Sequence, residues 1–347
     1  QRLMDDYTKF REKHNNHRQF AETLLQQIIF EAEDLGIPLK TPYLALGVMQ
    51  AESNSHQKAL KTFQTATQLF SDDPRFWAGL GGAQFYLTKY ESAVESFCYC
   101  VHLIKNSQIE NYKSHLFEVV HNLEEAIYAT GKFSHANYRL TKEFEELLKF
   151  PEIQIIQGKI LFQLGKVRLA SQILEKAVYN HYQQIDFTEE QQFYVSAILV
   201  LADCYKAQNL IIQEEELLQR AIQIFNNEAE IWRRYAIFIW ETRQGTVKYR
   251  QVIECFQKTV ELSKGDIKYR AELALILKRS KNEPELREQL EKCFEIEKES
   301  RNINAIENYY LGMAYYLAGK TEIARYRYEL SKSDSQIKSW PFYDRLV

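Results

Sequence analysis

Residues 74–100 read PRFWAGLGGAQFYLTKYESAVESFCYC, and their spacing returns through much of the chain. A large residue, a Leu-Gly pair, a small alanine and an aromatic residue stand at fixed intervals: Trp77, Leu80, Gly81, Ala93 and Phe97. The same kinds of residue occur 34 positions earlier: Tyr43, Leu46, Gly47, Ala59 and Phe63. A fixed period of this length indicates a repeat protein in which each unit packs on its neighbours.

This spacing resembles the tetratricopeptide repeat, whose 34-residue unit is a pair of antiparallel helices. Six further copies centre on these residues: Leu123, Gly158, Ala202, Ala236, Ala274 and Gly312. The third copy is degenerate, because Glu124 occupies the position that is small in the others. The resemblance implies an all-α fold, a right-handed α-solenoid of about seven to eight helix pairs with an N-terminal helical cap.

The small position has a physical explanation. A glycine inside a helix costs about 1 kcal/mol relative to alanine, so its presence at residues 47, 81, 158 and 312 indicates a place where two helices must approach closely. Large residues around these positions are expected to fill the spaces between neighbouring helices.

We divide the chain into five segments: a helical cap or arm (1–39), a first pair of repeats (40–107), the third and fourth repeats (108–180), the fifth to eighth repeats (181–331) and a C-terminal tail (332–347). Segment 1–39 lacks the repeat pattern. It either caps the solenoid with a polar outer face or forms a dimerisation or regulatory arm, which would make the protein a homodimer. Trp340, Phe342 and Tyr343 suggest that the tail docks on the protein.

Composition excludes several classes of protein. The 347 residues are 45% hydrophobic, enough for a sizeable core, and 44 basic against 47 acidic side chains give a net charge of -3. We therefore expect no nucleic-acid partner. The apolar runs are too short to cross a membrane, so no membrane insertion is expected. Five cysteines without framework spacing favour a reducing, cytoplasmic location.

No motif for catalysis, cofactor binding or metal binding is found. Gly79, Gly81 and Gly82 lack the third glycine and the preceding strand of a nucleotide-binding loop. Cys98 and Cys100 point to different faces of a predicted helix and are read as structural thiols. His14 and His17 have no acidic or thiol partner in register. We therefore predict a protein that is not an enzyme and has no cofactor.

The inner surface carries the prediction of function. In the tetratricopeptide fold the first helix of each repeat lines a concave groove, and its inward positions in the first four repeats are mostly apolar. The peptide-binding groove is therefore assigned to these residues: Leu44, Val48, Ala51, Phe85, Tyr86, Tyr128 and Phe162. Such a groove suits an extended apolar protein or peptide segment.

The inward positions become charged toward the C-terminus, with these residues: Asp203, Lys206, Arg233, Trp240, Glu241, Lys268, Lys278 and Arg279, followed by Tyr309, Met313 and Tyr316. Two interpretations stay open. Lys206, Lys278 and Arg279 could hold a carboxylate as in the carboxylate-clamp version of the repeat, although its asparagine partners are missing. Alternatively, this surface is a solvated groove wall.

Residues 39–103 also resemble a narrower family, the class II chaperones of bacterial type III secretion, which guard translocator proteins before export. The resemblance rests on RFWAGLG (75–81), YESAVESF (90–97), YLALG (43–47) and ALKTFQ (59–64). It implies that a cargo segment is clamped at Leu44, Val48, Ala51, His56, Phe85 and Tyr86. Several of these positions are aromatic in the family but aliphatic or His here, so a different peptide motif is expected.

The sequence thus predicts a protein–protein interaction module, a secretion-chaperone-like adaptor whose partner is a secreted translocator. Two alternatives are a scaffold subunit of a multiprotein assembly and a regulator that senses a peptide.

Overall fold

The computed structural model describes residues 18–107, 115–179, 189–243, 246–300 and 302–332, and every regular element in these ranges is a helix. The all-α prediction is confirmed. The chain divides into two compact units, Gln1–Cys204 and Tyr205–Val347. Each unit is built of consecutive helices that pack on one another.

Unit 1 contains nine complete helices and most of a tenth. These are α1 (Arg18–Asp34), α2 (Lys40–Glu52), α3 (His56–Leu69), α4 (Pro74–Tyr86), α5 (Tyr90–Asn106), α6 (Leu116–Thr130), α7 (Phe133–Lys142), α8 (Pro151–Gln163), α9 (Val167–Tyr179) and α10 (Glu189–Ala207). A short 3₁₀ helix, Glu145–Lys149, connects α7 to α8. The last residues of α10 belong to unit 2. Four helix pairs follow α1, and each pair begins with an even-numbered helix.

Unit 2 contains the remaining seven described helices. These are α11 (Ile211–Ile224), α12 (Ala229–Thr242), α13 (Thr246–Leu262), α14 (Ile267–Ser280), α15 (Glu283–Glu299), α16 (Ala305–Leu317) and α17 (Thr321–Ser331). Helices α12 to α17 form three pairs, and α14 also packs on α16.

Local sequence explains where the helices begin and end. The buried Asp73 carboxylate accepts the backbone N–H of Arg75 at 3.2 Å, and Pro74 occupies the first turn of α4. Asn304 and Glu307 form a capping box at α16. Gly131 ends α6 in a left-handed conformation that glycine adopts at no steric cost.

The small positions of the sequence lie against large side chains that follow 16 residues later. A Cβ atom added to Gly81 would lie 2.7 Å from the Phe97 ring, and one added to Gly47 would lie 2.5 Å from the Phe63 ring. The same contact joins Gly158 to Leu174 and Gly312 to Tyr328. Absence of a side chain therefore sets the distance between the two helices of a pair.

A second contact repeats with the same period. Thr62 donates a hydrogen bond of 2.7 Å to the buried Gln50 side chain, and Ser96 donates one of 2.7 Å to the buried Gln84. Each glutamine and its partner are 12 residues apart, so the two repeats share a polar contact as well as their apolar one. These hydrogen bonds offset the free-energy cost of burying the two glutamine amides.

Helix α1 lies on α2. Its buried residues Leu25 and Ile28 are on one face, and Leu25 belongs to a cluster with Leu46 and Met49. Two features of the sequence analysis lie outside the described residues: the histidines at 14 and 17, and the aromatic residues of the tail.

Gly81→Ala and Gly82→Ala form a matched pair that tests this packing. The first change pushes a methyl group into the Phe97 ring, which costs about 1–3 kcal/mol. The second places its methyl where no atom lies within 4 Å, and it gains about 1 kcal/mol of helix propensity. We expect Gly81→Ala to lower the melting temperature and Gly82→Ala to keep or raise it. Equal effects in circular dichroism melts would contradict the packing argument.

Candidate functional site

Four aromatic rings form a continuous surface in the predicted groove of unit 1. Tyr86, at the end of α4, is 67% exposed, and its ring stacks on that of His56 with centroids 4.5 Å apart. The Phe85 ring meets Tyr86 edge-on at 5.9 Å and Tyr90 at 5.4 Å. Because His56 and Tyr90 begin the second helices of their repeats, the surface joins two consecutive repeats.

The other groove residues of α2 differ in how much surface they offer. Val48 is 41% exposed, whereas Leu44 and Ala51 are partly buried and pack against the core formed by α2, α3 and α4. Val48 and Tyr86 are therefore the exposed apolar residues of α2 and α4 in this groove, and Phe85 is partly buried. The sequence pattern identified the face of the helix, and packing decides which residues on it stay open.

Tyr128 and Phe162 extend the predicted groove into the next two repeats. Tyr128 is 37% exposed and meets the Phe133 ring edge-on at 5.2 Å. Burial of its ring raises the pKa of Tyr128, so the hydroxyl is neutral at physiological pH. Phe162 is partly buried. Within the described residues, no ring contact joins Tyr128 to Phe162.

Lys159 occupies an inward position of α8. It is buried, and a neighbouring carboxylate balances its charge. Its ammonium lies 2.8 Å and 2.9 Å from the two carboxylate oxygens of Glu124, donates to the Ser196 hydroxyl at 2.7 Å and lies over the Phe193 ring. These groups line a cavity of about 480 Å³. Burial lowers the pKa of Lys159, and Glu124 opposes that change. Glu124 therefore stands at a small position because it pairs with this lysine.

A larger cleft opens in unit 2, with a volume of about 780 Å³. Apolar groups form its floor: Phe256, Ile276, Tyr309 and Met313 are buried, Ile237, Trp240 and Leu275 are partly buried, and Ile306 is exposed. Charged residues form its wall: Lys206, Arg233, Arg234, Glu241, Lys268, Glu272 and Arg279. Of the inward charged positions of the sequence analysis, Lys206, Arg233, Glu241, Lys268 and Arg279 thus meet around one apolar surface, whereas Asp203 and Lys278 do not line it.

Most cations of this wall are paired with carboxylates. Arg233 donates two hydrogen bonds of 2.7 Å to Glu272. Lys206 lies 2.6 Å from Glu241, and Arg234 lies 2.9 Å from Glu214. A further pair joins Lys268 to Glu230, whose carboxylate also accepts the Tyr269 hydroxyl at 2.8 Å. These pairs link neighbouring helices and hold the wall of the cleft in one arrangement.

The pKa directions agree with this pairing. Burial raises the pKa of Glu230, but Arg233 and Lys268 outweigh it and hold the pKa below the usual value. Burial and the Glu272 carboxylate raise the pKa of Tyr309 to about 12. Glu230 is thus charged and Tyr309 is neutral at physiological pH.

Two cations contact the ring of Trp240 instead. The Arg279 guanidinium lies 5.2 Å from the ring centroid and the Lys248 ammonium 4.0 Å from it. Neither makes an ion pair with a carboxylate in the part of the chain that the structure describes. Lys278, the neighbour of Arg279, pairs with Glu283 at 3.3 Å and does not line the cleft. Sequence analysis missed Lys248, because α13 is the second helix of its repeat.

The cysteines have a structural role. All five are free and buried, and the Cys100 thiol donates to the Pro74 carbonyl at 3.1 Å. Burial raises the pKa of Cys98 and Cys293 to about 12. No group of three His, Cys, Asp or Glu residues in the described ranges is arranged for a metal ion. None of the described helices is long and apolar enough to cross a membrane.

The sequence matches no protein-family profile and no curated protein. Solved structures with a similar arrangement of helices include YrrB, described as a TPR protein with an unusual peptide-binding site (12% identity, 74% of this chain and 97% of that chain, TM-score 0.37). PilF of Pseudomonas aeruginosa is similar at 14% identity over 68% of this chain and 96% of that chain, with a TM-score of 0.43.

The APC/C hetero-tetramer Cut9–Hcn1 contains a chain that is 14% identical, with a TM-score of 0.45; the match covers 76% of this chain and 47% of that one. At these values the tetratricopeptide character rests on this chain's own features. Those features are antiparallel helix pairs, a 34-residue period and a small residue packed against a large one 16 positions later.

The Lys159–Glu124 pair gives a test of the charged inner surface. Glu124→Leu leaves the buried ammonium without its carboxylate, which should cost about 3–5 kcal/mol of unfolding free energy. Because burial depresses the folded-state pKa of Lys159, the stability of this variant should rise as the pH approaches 10.5, where the folded lysine loses its proton first. Urea titrations at several pH values measure both effects.

The double variant Glu124→Leu with Lys159→Met serves as the control. Because it removes both charges and keeps apolar volume, most of the lost stability should return and the alkaline gain should disappear. A double variant that is less stable than Glu124→Leu would contradict this account of the pair.

Proposed function

We propose that the protein is a non-catalytic interaction module that binds an extended apolar protein segment in the groove of unit 1. The aromatic surface of His56, Phe85, Tyr86 and Tyr90 carries this proposal. An exposed tyrosine held by neighbouring rings offers apolar area with little loss of side-chain entropy on binding. Val48 adds an aliphatic contact on the preceding repeat.

The rigidity of the helices supports an extended ligand. Phe85 and Tyr86 are on α4, whose opposite face is buried through Phe76, Leu80 and Ala83. A segment that lies along the groove meets side chains from consecutive first helices at regular intervals. Pockets at such intervals read alternate side chains of an extended chain.

The finer assignment is a cytoplasmic, secretion-chaperone-like adaptor whose cargo is a translocator protein. Its support is the resemblance of residues 75–81 and 90–97 to the class II chaperones of type III secretion. The free, buried cysteines suit a reducing compartment. Catalysis has no part in the proposal, because the inner surfaces hold paired charges and aromatic rings rather than a nucleophile with its base.

A scaffold role is the second candidate. Ile323, Tyr326 and Leu330 are exposed on α17, and their spacing places them on one face of that helix. An apolar stripe on a helix outside the groove is a surface for a stable protein partner. A scaffold would use this stripe and would not need the aromatic groove.

Tyr86→Ala, alone and combined with Phe85→Ala, tests the groove. Co-expression with candidate translocators, followed by co-purification and measurement of Kd, should show binding by the wild type. We expect a loss of at least about ten-fold for the pair, because aromatic anchors commonly account for 2 kcal/mol or more. The matched control is Tyr138→Ala, which removes a tyrosine that is 56% exposed on α7, outside the groove.

Melting temperatures must show that each variant is folded. Unchanged cargo binding by a folded Tyr86→Ala, Phe85→Ala variant would reject the groove. Loss of a stable set of partners on Tyr326→Ser, with Tyr86→Ala unaffected, would favour the scaffold.

Exposed apolar residues near the N-terminal helix are the candidate contact surface for the predicted homodimer. Phe30, Leu35 and Ile37 are exposed at the end of α1 and just after it. If the N-terminal arm joins two copies, Phe30→Ser with Ile37→Ser should convert a dimer to a monomer in sedimentation-velocity experiments. A monomeric wild type at concentrations of about 50 µM would rule out the homodimer, since obligate dimers bind far more tightly.

A further inference from the structure

We propose that the cleft of unit 2 is a second binding site, which takes an extended segment with an apolar side chain followed closely by an aspartate or glutamate. Arg279 and Lys248 are the residues that select the acidic group. This inference is independent of the unit 1 groove, since it concerns other helices and a ligand of different chemistry.

The floor of the cleft requires an apolar anchor. Tyr309 and Met313 from α16 and Ile276 from α14 line it. Trp240 on α12 and Ile306 at the start of α16 extend the apolar surface toward solvent. A volume of about 780 Å³ is in the range of sites that hold several side chains or a small ligand. Filling such a surface with an aliphatic or aromatic side chain yields the main binding free energy.

The wall of the cleft supplies a surplus of positive charge at one place. Arg233 and Lys206 have their acidic partners, so they neither attract nor repel a ligand strongly. Arg279 lines the cleft, whereas Lys248 is outside its lining and reaches it only through the Trp240 ring. Both cations lie within 5.2 Å of the ring centroid, and each lacks a carboxylate among the described residues. The positive potential of the cleft is therefore concentrated around this tryptophan.

Glu241 shows why Arg279 stays unpaired. It lies about one period before Arg279 in sequence and lines the same cleft, but its carboxylate is 2.6 Å from the Lys206 ammonium. The other carboxylate that lines the cleft, Glu272, is held by Arg233, so both acidic groups of the lining are engaged. A ligand carboxylate can pair with Arg279, and next to an indole ring and an apolar floor it gains more than it would in open water.

The charge pattern also separates this site from recognition of a free chain end. Lys278, which could join Arg279 in holding a terminal carboxylate, is paired with Glu283 and does not line the cleft. The two available cations instead lie on different helices, α13 and α14, and both contact the Trp240 ring. We therefore assign the acidic group to a side chain within the segment.

The probe is a pool of fluorescein-labelled peptides with amidated C-termini. Each contains one leucine or phenylalanine followed within three residues by aspartate or glutamate. Fluorescence anisotropy on the full chain should detect binding by this pool. A matched pool with asparagine or glutamine in place of the acids should bind about three- to ten-fold more weakly, and salt should reduce the difference.

Arg279→Gln and Lys248→Gln should each bring the ratio of the affinities for the acidic and amide pools toward one. Lys278→Gln is the matched control, because this neighbour of Arg279 carries the same charge but is paired with Glu283. Trp240→Ala should weaken binding of both pools. Phe85→Ala with Tyr86→Ala should keep the ratio between the pools, since neither residue carries a charge, which separates failure of this proposal from failure of the unit 1 groove.

Three results would overturn the inference. Equal affinity for the acidic and amide pools would leave only an apolar site. Binding that requires a free C-terminal carboxylate would assign the cations to a chain end. An effect of Lys278→Gln as large as that of Arg279→Gln would indicate general attraction by surface charge.

Discussion

Close approach of two helices at a residue with little or no side chain is the contact on which this architecture depends. Where Gly81 meets the Phe97 ring and Gly47 meets the Phe63 ring, the first helix of a pair lies directly on the second. This contact fixes which face of each first helix is turned inward. Most candidate binding residues belong to first helices, so their positions follow from a packing constraint that carries no function itself. His56, Tyr90 and Lys248 are instead near the start of second helices. Glu124 is the exception among the small positions, because its carboxylate forms an ion pair with Lys159.

The periodic pattern predicted helix pairs because close packing requires particular residue sizes at particular intervals. It also brought Lys206, Trp240 and Arg279 to one surface, and the structure places all three around one cleft. The periodic pattern did not predict which charged residues pair with one another. The partners are 35 residues apart for Lys206 and Glu241 but 39 for Arg233 and Glu272. Long side chains reach past one period by different amounts, so spacing alone does not say which cation remains unpaired.

The repeat period also did not predict how deeply each side chain is buried. Leu44 and Tyr86 both occupy inward positions, yet Leu44 packs against the core while most of the Tyr86 surface is accessible. The difference comes from the neighbours, since Tyr86 stacks on His56 at the mouth of the repeat. The sequence therefore identifies a candidate face, and three-dimensional packing identifies the residues that can bind.

The inner charges show how cations on first helices acquire opposite properties. Lys159 in unit 1 directly follows the small residue of its repeat, and the neighbouring repeat gives it the Glu124 carboxylate. The result is a buried pair that no ligand can use without breaking it. Arg279 in unit 2 lies further along its helix, and the carboxylates that line its cleft, Glu241 and Glu272, are held by Lys206 and Arg233. The proposed preference for an acidic ligand therefore needs no added charge, because the acidic groups of the cleft are engaged by other cations.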